Sequence, residues 1–226
     1  GPIMTNCYLL CDETAQVCAL IDPGDDALRV EQMVAQSGCV LQYILLTHGH
    51  WDHTNGLDGL VPNLNRNIPI YVHELDYPGP NTGFGKADLS AFKDQIRFYR
   101  DGETLEMGVE TIIVLHTPGH TPGSVTLAIG DNLFTGDTLF CGSCGRTDFD
   151  GGSPSDMKNS LSHIVGDLEK ALGKKVVFVD DCIGEKVEAA VKAMSSDEVL
   201  LLENLRFYSE EKKGDEAFAK QLVAPA

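Results

Sequence analysis

The chain has 226 residues, 42% hydrophobic and 23% charged, which fits one large globular domain. Its 17 basic and 34 acidic residues give a formal net charge of −17. That argues against a nucleic-acid partner, because phosphate contacts need clustered Lys and Arg. No apolar run reaches the roughly 20 residues that span a bilayer, so no membrane partner is expected. The Gly1–Asn6 start carries neither the basic nor the apolar stretch of a signal peptide. The seven cysteines, Cys7, Cys11, Cys18, Cys39, Cys141, Cys144 and Cys182, are odd in number and scattered, so a reducing, cytoplasmic setting is expected.

Tyr8-Leu9-Leu10 and Val17–Ile21 read as short paired strands that stop at the turn Asp22-Pro23-Gly24. Asp25–Ser37 places Ala27, Leu28, Val30, Met33 and Val34 at helical spacing, and Gly38 closes it. Val40–Leu46 is a strand, Asn55–Leu60 starts a helix, and Ile70–Val72 is another strand. Residues 78–88 are rich in Pro, Gly and Asn, a loop of the kind that borders a site. Thr111–Leu115, Ser124–Ile129 and Leu133–Phe134 are strands, separated by turns at Pro118-Gly119 and Gly130-Asp131-Asn132. A long helix follows over Ser155–Leu172. Strand Lys175–Val179, helix Glu185–Met194, strand Val199–Leu202 and helix Asp215–Leu222 then alternate, which predicts a parallel α/β layer.

Chemistry concentrates where Val40–Leu46 ends. Thr47-His48-Gly49-His50-Trp51-Asp52-His53 packs three imidazoles and a carboxylate into six residues. Zinc and similar borderline divalent ions favour such nitrogen and oxygen donors. His120, in His116–Ser124, and Asp137, in Phe134–Thr138, also follow strands and have small neighbours, so backbone can approach an ion closely.

T-H-x-H-x-D-H at 47–53, T-P-G-H-T-P-G-S at 117–124 and G-D-T-L-F at 136–140 together resemble the metallo-β-lactamase fold hydrolases. With Cys144-Gly145-Arg146-Thr147-Asp148, the likeness is to glyoxalase II-like thioester hydrolases, over about residues 1–160. The resemblance implies an α/β (α+β) fold, a four-layer αββα sandwich with the metal site at one edge between the sheets. It implies that His48, His50 and His120 hold one metal, that Asp52 and His53 help hold a second, and that Asp137 bridges them. Asp52 would also orient the nucleophile. The expected cofactor is zinc, one or two ions per chain, with iron or manganese as alternatives. The expected reaction is hydrolysis of a small-molecule thioester, of the hydroxyacylglutathione kind, by metal-bound hydroxide.

The family's second metal usually takes one more histidine, from a late turn. Neither His73 nor His163 fits that position. Instead, Leu172–Glu185 and Leu200–Tyr208 resemble the N-terminal domain of phosphoglycerate kinase. The resulting division is a metal-binding domain over 1–160 and a kinase-like segment over 161–226, docked on it. Its strand 175–179 stands in for the family's late strand, which brings Asp181 or Cys182 near the lost ligand; both are otherwise inherited kinase residues with no metal contact. Three functions follow: a metal-dependent thioesterase, a catalytically impaired metal-binding chimera, and a phosphoglycerate-binding remnant that uses Arg206 without kinase activity. Chelator sensitivity, metal content without turnover, and heat of binding with 3-phosphoglycerate separate them.

Overall fold

A computed structural model of the chain describes residues 4–64, 67–79, 88–140, 143–203, 208–213 and 215–224. Most of the expected loop at 78–88, and Arg206, lie outside these residues.

The first sheet runs in the order β1 (Tyr8–Asp12), β2 (Val17–Ile21), β3 (Val40–Leu45), β4 (Ile70–Val72), β5 (Ile96–Phe98). β1 and β2 form an antiparallel hairpin, and β2 to β5 are parallel. Helix α1 (Ala27–Ser37) makes the crossover from β2 to β3. The Asp26 side chain caps its first turn by accepting from Arg29 N, and it ends where Gly38 turns left-handed at φ 68°. Alternate strand residues face opposite ways. Leu20, Ile44 and Ile70 pack with Val30 and Leu57 under α1 and α3 (Leu57–Leu60), while Ala19, Ile21 and Leu45 face the second sheet.

That second sheet is antiparallel, in the order β6 (Thr104–Met107), β7 (Glu110–His116), β8 (Val125–Ile129), β9 (Asn132–Phe134). Leu105, Met107, Ile112, Val114, Val125 and Leu127 fill the space between the sheets. Helices α4 (Pro154–His163) and α5 (Val165–Leu172) follow, and α5 packs against β9. Helices therefore cover both outer faces of a two-sheet core, and the mixed α/β class expected from the motifs is the class observed.

The C-terminal stretch contains β10 (Val176–Val179), α6 (Glu185–Ala193), β11 (Val199–Leu202), α7 (Ser209–Lys213) and α8 (Glu216–Val223). β10 and β11 form their own two-stranded parallel sheet. It packs on the preceding fold through Phe178, which touches the cluster of Cys144, Met157 and Leu161. Lys158 on α4 adds ion pairs to Asp180 (3.6 Å) and to the buried Glu203 (3.7 Å).

Three local expectations change. β5 and β6 are strands that the sequence pattern did not reveal. The single helix over 155–172 is two helices, because the fully buried Ile164 takes ψ 0° and interrupts the ladder. The helix expected from Asn55 is the short α3, and a separate turn of helix, α2 (Trp51–Thr54), precedes it within the histidine cluster. Among the described residues, no helix is long and apolar enough to cross a membrane.

Candidate metal centre

The core strand β3 delivers the cluster. His50 ends the loop and stands at the N-cap of α2, whose single turn carries His53 back beneath His48, with ring centroids 4.1 Å apart. The β7–β8 loop supplies His120, and the turn after β9 supplies Asp137. Among the described residues two groups of donors result: His48, His50 and His120, and His48, His53 and Asp137, each with its ligand atoms within 4.8 Å of one another.

In the first group, His50 Nδ1 lies 3.1 Å from His48 Nε2 and 2.8 Å from His120 Nε2. Asp137 straddles the two groups, with Oδ2 3.2 Å from His120 Nε2 and Oδ1 3.2 Å from His53 Nε2. Asp52 Oδ2 lies 3.4 Å from His53 Nε2 and accepts from the Thr5 hydroxyl at 2.8 Å.

The outer ring nitrogens fix the tautomers. His120 Nδ1 lies 2.7 Å from the Arg146 carbonyl oxygen, which can only accept, so Nδ1 carries the proton and Nε2 turns its lone pair inward. His53 Nδ1 donates in the same way to Asp22 Oδ2 at 2.9 Å. The Thr47 hydroxyl gives its one proton to Asp22 Oδ2 at 2.7 Å, so its oxygen accepts from His48 Nδ1 at 3.2 Å and frees His48 Nε2. At His48, His50 and His120 several buried lone pairs thus converge with too few protons to pair them. Tetrahedral zinc–nitrogen bonds of ~2.0–2.1 Å set ligand nitrogens roughly 3.3 Å apart, close to the separations here. The donor set fits divalent cations.

At His48 and His50 the electrostatics agree. Burial and the neighbouring His120 push His50 down to about 3, against the pull of Asp137. Burial, His53, His120 and His50 hold His48 well below the usual imidazole range. Both are therefore neutral near pH 7, the form that binds metal. At His53 burial opposes the charge, but Asp22 and Asp137 outweigh it and raise the group to about 10, so without a cation His53 holds a second proton that metal binding would displace. At Asp137 burial favours the acid, yet its hydrogen bond to His53 and the surrounding imidazoles hold it below the ordinary carboxylate value.

Two carboxylates that sequence reasoning missed hold the loops in place. Asp22, at the end of β2, accepts from Thr47 N (2.8 Å), the Thr47 hydroxyl and His53. Asp76 is buried and accepts from Gly49 N (2.8 Å), Thr121 Oγ1 (2.7 Å) and Gly123 N (2.8 Å), which ties the His48–His50 loop to the His120 loop. Burial raises the Asp76 pKa, and these three bonds pull the other way. Asp22 sits in an evident turn, and its only sequence signal was its place at a strand end. Gly136, at φ 49°, lies against Thr47; a Cβ there would collide with Oγ1 and Cβ of that threonine.

The structure thus brings together His48, His50, Asp52, His53, His120 and Asp137. It does not bring Asp181 or Cys182 to them. Asp181 Oδ1 accepts from Cys182 N (2.8 Å), Ile183 N (3.4 Å) and the Tyr208 hydroxyl (2.8 Å). Cys182 lines a separate apolar cavity, beyond Leu139 and Phe140. The reason is topological: β10 pairs with β11 in a separate sheet, and its following turn closes on itself.

Fold and site together define a metallo-hydrolase built as a mixed α/β sandwich. Residues 1–175 match the family profile of the Metallo-beta-lactamase superfamily, and residues 136–226 match that of Phosphoglycerate kinase. The chain is 33% identical over 173 residues to the probable metallo-hydrolase YqgX of Bacillus subtilis, covering 71% of this chain and 78% of that protein. It is 34% identical over 167 residues to the hydroxyacylglutathione hydrolase GloC of Haemophilus influenzae, covering 69% and 76%. The solved structure of TTHA1623 in a di-iron-bound form is similar with a TM-score of 0.60 at 35% identity, over 74% of this chain and 83% of that one. The chain belongs to the metallo-beta-lactamase superfamily, whose fold implies bound divalent metal ions.

Proposed function

We propose that the chain is a thioester hydrolase that uses two divalent cations. The observation that carries this reading is the split carboxylate of Asp137, with one oxygen 3.2 Å from His120 and the other 3.2 Å from His53. His48, His50 and His120 would hold the first cation, His53 and Asp52 the second, and Asp137 both. Zinc suits these donors; iron is the alternative that the di-iron form of TTHA1623 supports. When bound, such cations supply Lewis acidity and bring the pKa of coordinated water toward neutrality.

The chain's own groups do the rest. Asp22 and the Arg146 carbonyl hold His53 and His120 in the ligating tautomer. Asp52 is steadied by Thr5 and faces the cavity, where its carboxylate can orient the attacking water. The likeness to GloC supports a small-molecule thioester as substrate. We read residues 1–160 as the metal-binding domain and 161–226 as a kinase-like segment docked on it through Phe178 and Lys158. The six free cysteines among the described residues suit a reducing, cytoplasmic setting.

A second reading is metal binding without turnover. It is favoured by the kinase-like match over 136–226, since none of the ligand groups among the described residues draws on that segment's β10–α8 portion. Turnover of a thioester panel, with and without chelator and in His50→Ala, separates the two. The proposal expects activity that chelator and the substitution both abolish. Activity that survives chelation would refute it.

A further inference from the structure

Beside Asp52, His53 and Asp137 lies a cavity of about 520 Å³, within the roughly 300–1,000 Å³ typical of small-molecule sites. Its lining is mixed. Thr5, Asn6, Thr47 and Thr135 are polar beside the carboxylates and His53, whereas Met4, Tyr8, Phe134, Leu139 and Phe140 contribute apolar surface. Met4, Tyr8 and Phe140 are 84%, 42% and 41% exposed, so large apolar side chains stand in water around the candidate catalytic carboxylates. Tyr8 and Phe134 meet edge to face at 5.0 Å, which sets this apolar surface before any ligand arrives. Leu139 and Phe140 also wall the neighbouring apolar cavity of about 280 Å³, lined beyond them by Leu161, Leu200 and Leu202.

Among the described lining residues none is Lys or Arg. Arg146, beyond the lining, holds Asp148 through two hydrogen bonds of 2.7 and 2.9 Å. The two carboxylates of a glutathione thioester would call for such cations. A hydrocarbon chain calls only for the apolar surface.

Resting on the thioesterase reading, we propose that the substrate is a thioester with an uncharged hydrocarbon acyl chain, held by Tyr8, Phe134, Leu139 and Phe140, in preference to a glutathione thioester. Hydrolysis adds water across the scissile bond: the C–S bond breaks, a C–O bond forms, the thiol sulfur takes a proton and the acyl group leaves as a carboxylic acid. Moving one methylene from water onto such a surface changes an equilibrium constant by up to roughly fourfold.

The test compares acetyl, butyryl and hexanoyl thioesters of the neutral thiol N-acetylcysteamine with S-lactoylglutathione, on metal-loaded protein. Expected is a kcat/KM that rises roughly two- to fourfold per methylene and, for the hexanoyl ester, exceeds that for lactoylglutathione at least about tenfold. Phe140→Ala should lower the hexanoyl-to-acetyl ratio. Calorimetry of the unreactive thioethers S-hexyl-N-acetylcysteamine and S-hexylglutathione reads the cavity without turnover, and the neutral compound should bind the more tightly. A flat chain-length series, or a preference for the glutathione compounds, overturns the inference and leaves thioester hydrolysis standing. Failure of every thioester overturns both.

Discussion

Asp22→Asn is isosteric and strikes a side chain only 2% exposed. The carboxylate accepts three hydrogen bonds, from Thr47 N, the Thr47 hydroxyl and His53 Nδ1. A bond to a charged acceptor is worth about 1 kcal/mol more than one to a neutral acceptor, so the three together lose about 3 kcal/mol. For a chain of this size that lowers Tm by roughly 6–12 °C. The chemical effect is sharper. An amide NH2 in place of Oδ2 meets the His53 Nδ1 proton head-on, so the neutral form of His53 keeps its proton on Nε2 instead of Nδ1. The proton then points at Asp137, and the nitrogen ceases to be a ligand. Removing an orienting partner of this kind typically weakens metal binding about 10- to 100-fold. Calorimetric titration with zinc, together with elemental analysis after dialysis, reads the second cation separately from the one at His48, His50 and His120. A variant that keeps both cations at wild-type affinity, with Tm within about 2 °C, would refute the role assigned to Asp22.

Three further outcomes can be checked. His50→Ala removes the nitrogen common to both short ring contacts (3.1 and 2.8 Å); thioesterase activity should fall by at least about a thousandfold and the first cation should be lost. Asp76→Ala leaves Gly49 N–H, Gly123 N–H and the Thr121 hydroxyl without their buried acceptor; urea unfolding should show a loss of about 3 kcal/mol. Asp12 binds Val109 N, Ala15 N and Thr14 N, in that order of influence, and these bonds depress its carboxyl. A depressed carboxylate contributes stability above its unfolded value of 3.8 that disappears as pH falls through the lower folded value. Asp12→Ala should therefore differ from the parent in thermal unfolding near pH 6 and converge with it in stronger acid.

Much of the site could be read from the sequence because its donors are chemically conspicuous and close together. His48, His50, Asp52 and His53 occupy one strand end, and a turn of helix suffices to assemble them. His120 and Asp137 were legible as strand-end ligands, and the β-sheets bring them to the same edge. Asp22 and Asp76 were not legible, since a carboxylate in a turn looks the same whether it caps backbone locally or reaches 25 or 27 residues along the chain to hold a ligand loop. The strand Ile96–Phe98 is only three residues long, and Thr104–Met107 alternates over only four, too short for a period to declare itself. The position of Asp181 and Cys182 depended on which neighbour β10 would choose. Local pattern does not carry that choice, and pairing with β11 placed them outside the metal centre.

The most direct measurement is the metal content of the purified chain, by elemental mass spectrometry against protein concentration. The expected result is two divalent metal ions per chain, falling to one or fewer in His120→Ala. A chain that retains its fold by circular dichroism, yet holds no metal even after incubation with zinc or iron, would contradict the assignment of His48, His50, His53, His120 and Asp137 as a metal centre.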